Sequence, residues 1–146
     1  MKIIWLEKKQ NGVSALEFTL IAPFLFVLLF GLIEFGCLFY DKAVITNACR
    51  EGARAGIVAR SPRMSDDEIK QVVLNYAQNR LINFGNNPLS ADNIEIEREG
   101  YNFGDDLTVR VNYQYKFLVL PNFKNLGWFN LDNVINIRAV TVMRME

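Results

Sequence analysis

Residues 12–40 read GVSALEFTLIAPFLFVLLFGLIEFGCLFY, and this stretch decides the fold. Its only charges are Glu17 and Glu34. The uncharged run 18–33 makes roughly 24 Å of helix at 1.5 Å per residue. A membrane span needs about 20 mostly apolar residues. Extension to Tyr40 passes that length, provided Glu34 sits at the interface or against a neighbour. A helix buried in a globular core is the alternative. No other segment of the 146 residues is long or apolar enough to wrap such a helix, so a membrane anchor is expected.

Ahead of this run lies MKIIWLEKKQNG, with Lys2, Lys8 and Lys9 against one acid, Glu7. A carboxylate such as Glu17, close to hydrocarbon, is costly unless paired or functional. A cut after Gly12 would free an α-amino group on Val13. Glu17 would then be the fifth residue, one helical turn away. An ammonium group, its own or a neighbouring subunit's, would neutralise it there.

Residues 12–18, Gly-Val-Ser-Ala-Leu-Glu-Phe, resemble the prepilin-peptidase site of the type IV pilin superfamily. Glu17-Phe18-Thr19-Leu20, Ala22-Pro23, the run Phe30-Gly31-Leu32-Ile33-Glu34-Phe35-Gly36 and Ala48-Cys49-Arg50-Glu51-Gly52-Ala53-Arg54 resemble the TadE-like family in the family's order. These are pseudopilins of the tight-adherence (Flp) pilus machinery. The resemblance covers about residues 12–56. It implies cleavage between Gly12 and Val13 by an aspartic prepilin peptidase, with Glu17 and Phe18 at the assembly end of the cut chain. It also implies an inner-membrane anchor with a cytoplasmic N-terminus and an exported C-terminal domain, and a part in pilus assembly or priming. The partners so implied are prepilin peptidase, other pilins or pseudopilins, membrane assembly proteins and the lipid bilayer.

Other processing schemes fit less well. A secretory signal needs a small-x-small cut site, absent after Ile33. Gly36-Cys37 suits a lipoprotein signal, but Glu34 stands where an apolar residue is wanted. An uncleaved single-pass anchor, whose exported domain binds a partner, stays open. Lys42, Arg50 and Arg54 follow the span, so basic residues on both sides leave orientation to the leader.

Within the span, Pro23 removes a backbone donor, so a kink near residues 19–23 is expected, with the Thr19 hydroxyl helping to satisfy freed groups. Residues 41–59 keep helical character. Gly52 and Gly56 form a small-xxx-small pair that packs under the chain's own domain, against another helix, or both. Arg50 and Arg54 lie one turn apart and repel without partners. Glu51 is read as facing neither, so an acid from the domain or another subunit is expected. Cys37 and Cys49 are about 18 Å apart along a continuous helix, beyond disulfide reach, and are expected as free buried thiols.

Ser61-Pro62 ends the helix. Ser65 with Glu68 is a capping box, and Ile69, Val72, Val73, Tyr76, Ala77, Arg80 and Leu81 recur at helical spacing. Gly85 is a plausible stop, and this second helix should lie on a sheet. Ile94 and Ile96 alternate with Glu95 and Glu97. Residues 107–117 alternate cleanly, with Leu107, Val109, Val111, Tyr113, Tyr115 and Phe117 on one face. Residues 99–105 make the hairpin, and 134–145 a last strand with mixed faces. The expected fold is α+β and pilin-like: a long N-terminal transmembrane helix, a second helix and a small three-stranded antiparallel sheet. The divisions are a leader at 1–12, the helix at 13–60 and an exported domain at 61–146. Residues 118–132 form an apolar loop that covers the domain or contacts a subunit.

Net charge is zero, with 16 basic and 16 acidic residues. Loss of the leader's three Lys and one Glu leaves a slightly acidic chain, with no nucleic-acid footprint. There is no His, the two Cys lack zinc spacing, and no P-loop or dinucleotide glycine pattern appears. Asp105-Asp106 and Asn86-Asn87 carry oxygen ligands of the kind Ca²⁺ takes, but such short turns are ordinarily just solvated. No cofactor, metal or enzymatic activity is expected. An anchored hydrolase would need an activity that substitution of Asp105 or Asp106 abolishes.

Overall fold

The computed structural model describes residues 11–83, 87–119 and 134–146. The first helix, α1, runs unbroken over Asn11–Ile57 for 47 residues, roughly 70 Å at 1.5 Å per residue. Two halves of different composition share it. Residues 12–33 are exposed almost throughout, although nearly all are apolar. From Glu34 onward one face turns inward: Val44, Ile45, Ala48, Cys49 and Ala53 are buried three, four, seven, eight and twelve residues after the buried Asp41, the spacing that puts residues on one helical stripe.

The second helix, α2, spans Asp66–Ala77. Its capping box forms as the sequence requires: the Glu68 amide donates to Ser65 Oγ at 3.3 Å, and the Ser65 amide donates to Glu68 Oε2 at 2.8 Å. Asp66, Asp67 and Glu68 fill the first turn, where the positive end of the helix dipole favours acids. The helix ends at Ala77, short of Arg80 and Leu81, and Gly85 lies outside the described residues. The expected placement is corrected as well. α2 packs chiefly on α1 rather than on the sheet. The cause is the glycine pair. A Cβ on Gly52 would enter the Val73 side chain, and one on Gly56 would enter those of Ile69 and Leu107. Two missing side chains therefore let α2 settle onto α1.

The sheet is antiparallel in the order β1-β2-β3. β1 covers Ile94–Arg98, β2 Asp106–Lys116 and β3 Val134–Arg144. Ile94 pairs with Val111 and Arg98 with Leu107. β2 and β3 pair along their whole length, from Asp106↔Arg144 to Lys116↔Val134. Leu107, Val109, Val111, Tyr113 and Tyr115 are buried beneath α1, while alternate residues face out. The mixed character of β3 resolves in this register. Ile137 and Ala139 point to the core, opposite Tyr113 and Val111, whereas Val140 and Val142 are exposed. In the β1–β2 connection Gly104 takes a positive φ of 95°, open to glycine without cost. The Asn102 amide donates to Asp105 Oδ2 at 2.8 Å.

The helix boundary moves from residue 60 to Ile57. Arg63 explains how the chain turns away, donating to the Ile57 carbonyl at 3.3 Å and to the Glu146 backbone oxygen at 2.8 Å. Arg98 holds the far side of this turn. Its Nε meets Asp66 Oδ1 at 2.6 Å, and its Nη2 meets the Met64 carbonyl at 2.8 Å.

Candidate assembly site along the first helix

A helix half made of Phe, Leu, Ile and Val that packs against nothing among the described residues must be covered by something apolar. Among residues 12–33 only Ala22 is buried, and Phe18 is 68% exposed. Gly12, Gly31 and Gly36 have open space where a Cβ would stand. Phe26 and Phe30 stack on each other with centroids 6.0 Å apart. Glu17 is exposed and is the single charge in these residues. Gly12, Val13, Glu17 and Phe18 therefore share one unpacked end of α1.

Pro23 is exposed and stays inside the helix. The carbonyl it frees is that of Thr19. A hydroxyl donor there would be a partner for it, but the Thr19 hydroxyl donates one turn back, to the Ala15 carbonyl at 2.7 Å. The expected help from Thr19 is thus directed elsewhere, a common habit of Thr in helices.

Glu34 marks where the free half ends. It is 3% exposed. The Tyr115 hydroxyl donates to its Oε1 at 2.5 Å. The Leu118 amide donates to both oxygens, at 3.0 and 3.1 Å, and the Val119 amide to Oε2 at 2.7 Å. Every one of these partners is a donor, and a carboxylate offers only acceptors. Phe117 braces the group, its ring edge-on to Tyr115 at 6.4 Å. Burial, with the bond to Glu34 next, pushes the Tyr115 hydroxyl pKa well above its usual range. That keeps it a donor at any physiological pH. The apolar loop read at 118–132 thus begins by binding the helix; residues 120–132 lie outside the described residues.

Two turns further, Asp41 is buried and accepts from the Ile82 amide at 2.9 Å, tying the segment after α2 to α1. Its other oxygen has no hydrogen-bond partner among the described residues. Desolvation raises its pKa to about 6, with the Ile82 bond opposing. Asp41 lies beyond the exposed apolar half, inside the domain.

The remaining sequence candidates divide. Gly52 and Gly56 are buried against α2 and β2, so this pair serves the chain's own domain. Arg54 corrects the expectation for Glu51. Three residues apart on a helix is a facing distance, and Arg54 Nε and Nη2 bind the two Glu51 oxygens at 3.1 and 2.6 Å. Arg50 is exposed and makes no ion pair among the described residues. Cys37 and Cys49 are free; Cys49 is buried, while Cys37 is only half-buried, a correction to two buried thiols. Asp106 pairs with Arg144 at 3.3 Å and Asp105 accepts within its own turn, so both carboxylates have partners in the fold. Asn87 donates to the Gln114 carbonyl at 2.6 Å; Asn86 lies outside the described residues. No cluster of three or more metal-binding side chains occurs among the described residues. Glu34 and Asp41 are the residues that sequence reasoning left out of the site. The signal was present for Glu34, the lone charge between Phe18 and Tyr40.

These features define a class: an α+β domain carried on the far half of one helix that is, among the described residues, long and apolar enough to cross a bilayer. Residues 12–54 match the family model described as TadE-like protein, and the resemblance seen in the sequence holds over that segment. TadE-like proteins are structural and pilus-associated. No curated protein and no solved structure matches the chain.

Proposed function

We propose that this chain is a minor pseudopilin-like component of a tight-adherence pilus, cut after Gly12 by prepilin peptidase and held in the inner membrane with its domain exported. The observation that carries this reading is the exposed apolar half of α1 with one exposed carboxylate, Glu17, near its start. In hydrocarbon, an unpaired carboxylate is strongly disfavoured. The ammonium group released on Val13 is the right charge, within about one helical turn. Between staggered helices, the same pair would set register as well as neutralise charge. Phe18 and the aliphatic residues after it supply van der Waals contact to lipid or to neighbouring helices.

The domain end of α1 supports the same reading. Glu34 and Asp41 bind the domain at two levels of the helix, so displacement of the helix carries the domain with it. A subunit extracted from the bilayer into a filament needs that coupling. Its apolar helix is the handle, and its domain is the load.

Glu17→Gln in the native host tests this. The variant is expected to insert and to be cut, but to reduce piliation at least tenfold by electron microscopy. Normal piliation with E17Q would remove the pairing role.

A further inference from the structure

A cleft of about 200 Å³ opens between α1 and β3, at the end of the domain nearest the apolar half. Leu38, Phe39 and Lys42 line it from the helix, and Ile135, Ile137 and Arg138 from the strand. Its floor is apolar and its rim is cationic. No acid lines it. The acids on either side along α1 are engaged elsewhere: Glu34 binds Tyr115 and the 118–119 amides, and Asp41 binds Ile82. The Lys42 ammonium donates to the Arg138 carbonyl, a neutral partner. Neither Lys42 nor Arg138 makes an ion pair among the described residues.

Position along the helix then selects the occupant. Residues 12–33 make roughly 33 Å of exposed apolar helix, against about 30 Å of hydrocarbon and a few ångströms more of headgroup on each side. Phe35, Phe39 and Tyr40 continue the exposed surface, as aromatic residues do at membrane interfaces. Lys42 follows about 12 Å beyond Glu34, and its long stem lets the charge reach back toward the bilayer. The cleft therefore stands at headgroup height and is continuous with the lipid-facing helix.

We infer that the α1–β3 cleft binds the headgroup of an anionic phospholipid from the bilayer that holds α1, with Lys42 and Arg138 contacting the phosphate and Leu38 and Phe39 the first carbons below it. The volume suits a headgroup and not a whole lipid, being roughly that of a handful of waters. A phospholipid so held would fix the domain's height and tilt on the membrane. The inference rests on the membrane anchor, not on pilus assembly, and is tested apart from it.

The full chain would be reconstituted in nanodiscs of equal phosphatidylglycerol and phosphatidylcholine, extracted gently, and its retained lipid counted by native mass spectrometry. The wild type is expected to retain about one lipid, phosphatidylglycerol at least fivefold over phosphatidylcholine. The double variant K42Q/R138Q should bring that ratio near one, and K42R should restore it beside an intact Arg138. R138Q alone, at an exposed position, should lower the ratio by about half even if K42Q disturbs the helix–strand contact. K116Q should leave it unchanged. A wild-type ratio near one, an undiminished ratio in R138Q and the double variant, or an equal loss in K116Q would overturn the cleft as the site.

Discussion

Glu34 on the first helix accepts a 2.5 Å hydrogen bond from the Tyr115 hydroxyl, joining residues 81 apart in sequence at the boundary between exposed and packed helix. This bond and the two amides beside it turn a charge inside an apolar run into the attachment point of the domain. A carboxylate that would be costly in lipid is satisfied by protein donors instead.

Removing it should therefore loosen the domain locally before it unfolds it. Glu34→Ala orphans a buried hydroxyl and two amides, at an expected cost of about 2–4 kcal/mol. Tyr115→Phe removes one donor and leaves the amides in place, at about 1–3 kcal/mol. Hydrogen exchange in micelles should show the Leu118 and Val119 amides protected in the wild type, deprotected in E34A and largely protected in Y115F. Equal protection in all three would mean the contact bears no load.

The two glycine classes on α1 should respond oppositely to Ala. At Gly52 the obstacle is Val73, a β-branched side chain with little freedom; at Gly56 it is Ile69 together with Leu107, both fully buried. G52A and G56A should each cost about 1–3 kcal/mol through overpacking. Gly36→Ala meets open space and gains helix propensity, so it should be neutral or up to about 1 kcal/mol stabilising. Thermal unfolding of the three variants in the same detergent checks this.

Asp41 gives the domain a pH dependence of defined sign. Its carboxyl is raised from 3.8 to about 6 in the fold. Between those values the native state holds a proton that the unfolded state has lost. Stability from this group thus falls as pH rises from about 4 to 6 and is flat above. The loss is at most roughly 3 kcal/mol. Asp41→Asn cannot ionise and keeps an acceptor for the Ile82 amide. The stability advantage of D41N over wild type should grow across that window and then level off. A difference that does not change with pH would contradict the assignment.

Much of this fold was legible in the sequence, because its signals are periodic and local. The two-residue alternation over 107–117 identified β2 and its buried face, and Ser65 with Glu68 marked the start of α2 to the residue. What was not legible depended on distance in sequence. Whether Gly52 and Gly56 would receive another molecule or the chain's own α2 could not be decided from spacing, since a small-residue stripe is the same surface for either. The partner of Glu34 lies across the fold on β2 and the segment after it, and nothing local announces it. The Arg54–Glu51 pair was different: helical geometry alone places residues three apart on one face, so the pair was legible, and reading Glu51 as facing neither arginine missed it.

The central claim, that α1 is the processed helix of a pilin-like subunit, is tested most directly by the N-terminal sequence of the protein extracted from the membranes of its native host. The account predicts a chain beginning at Val13, with uncut protein accumulating when the prepilin peptidase is deleted. A chain that begins at Met1 in both strains would contradict it and leave a plain membrane anchor.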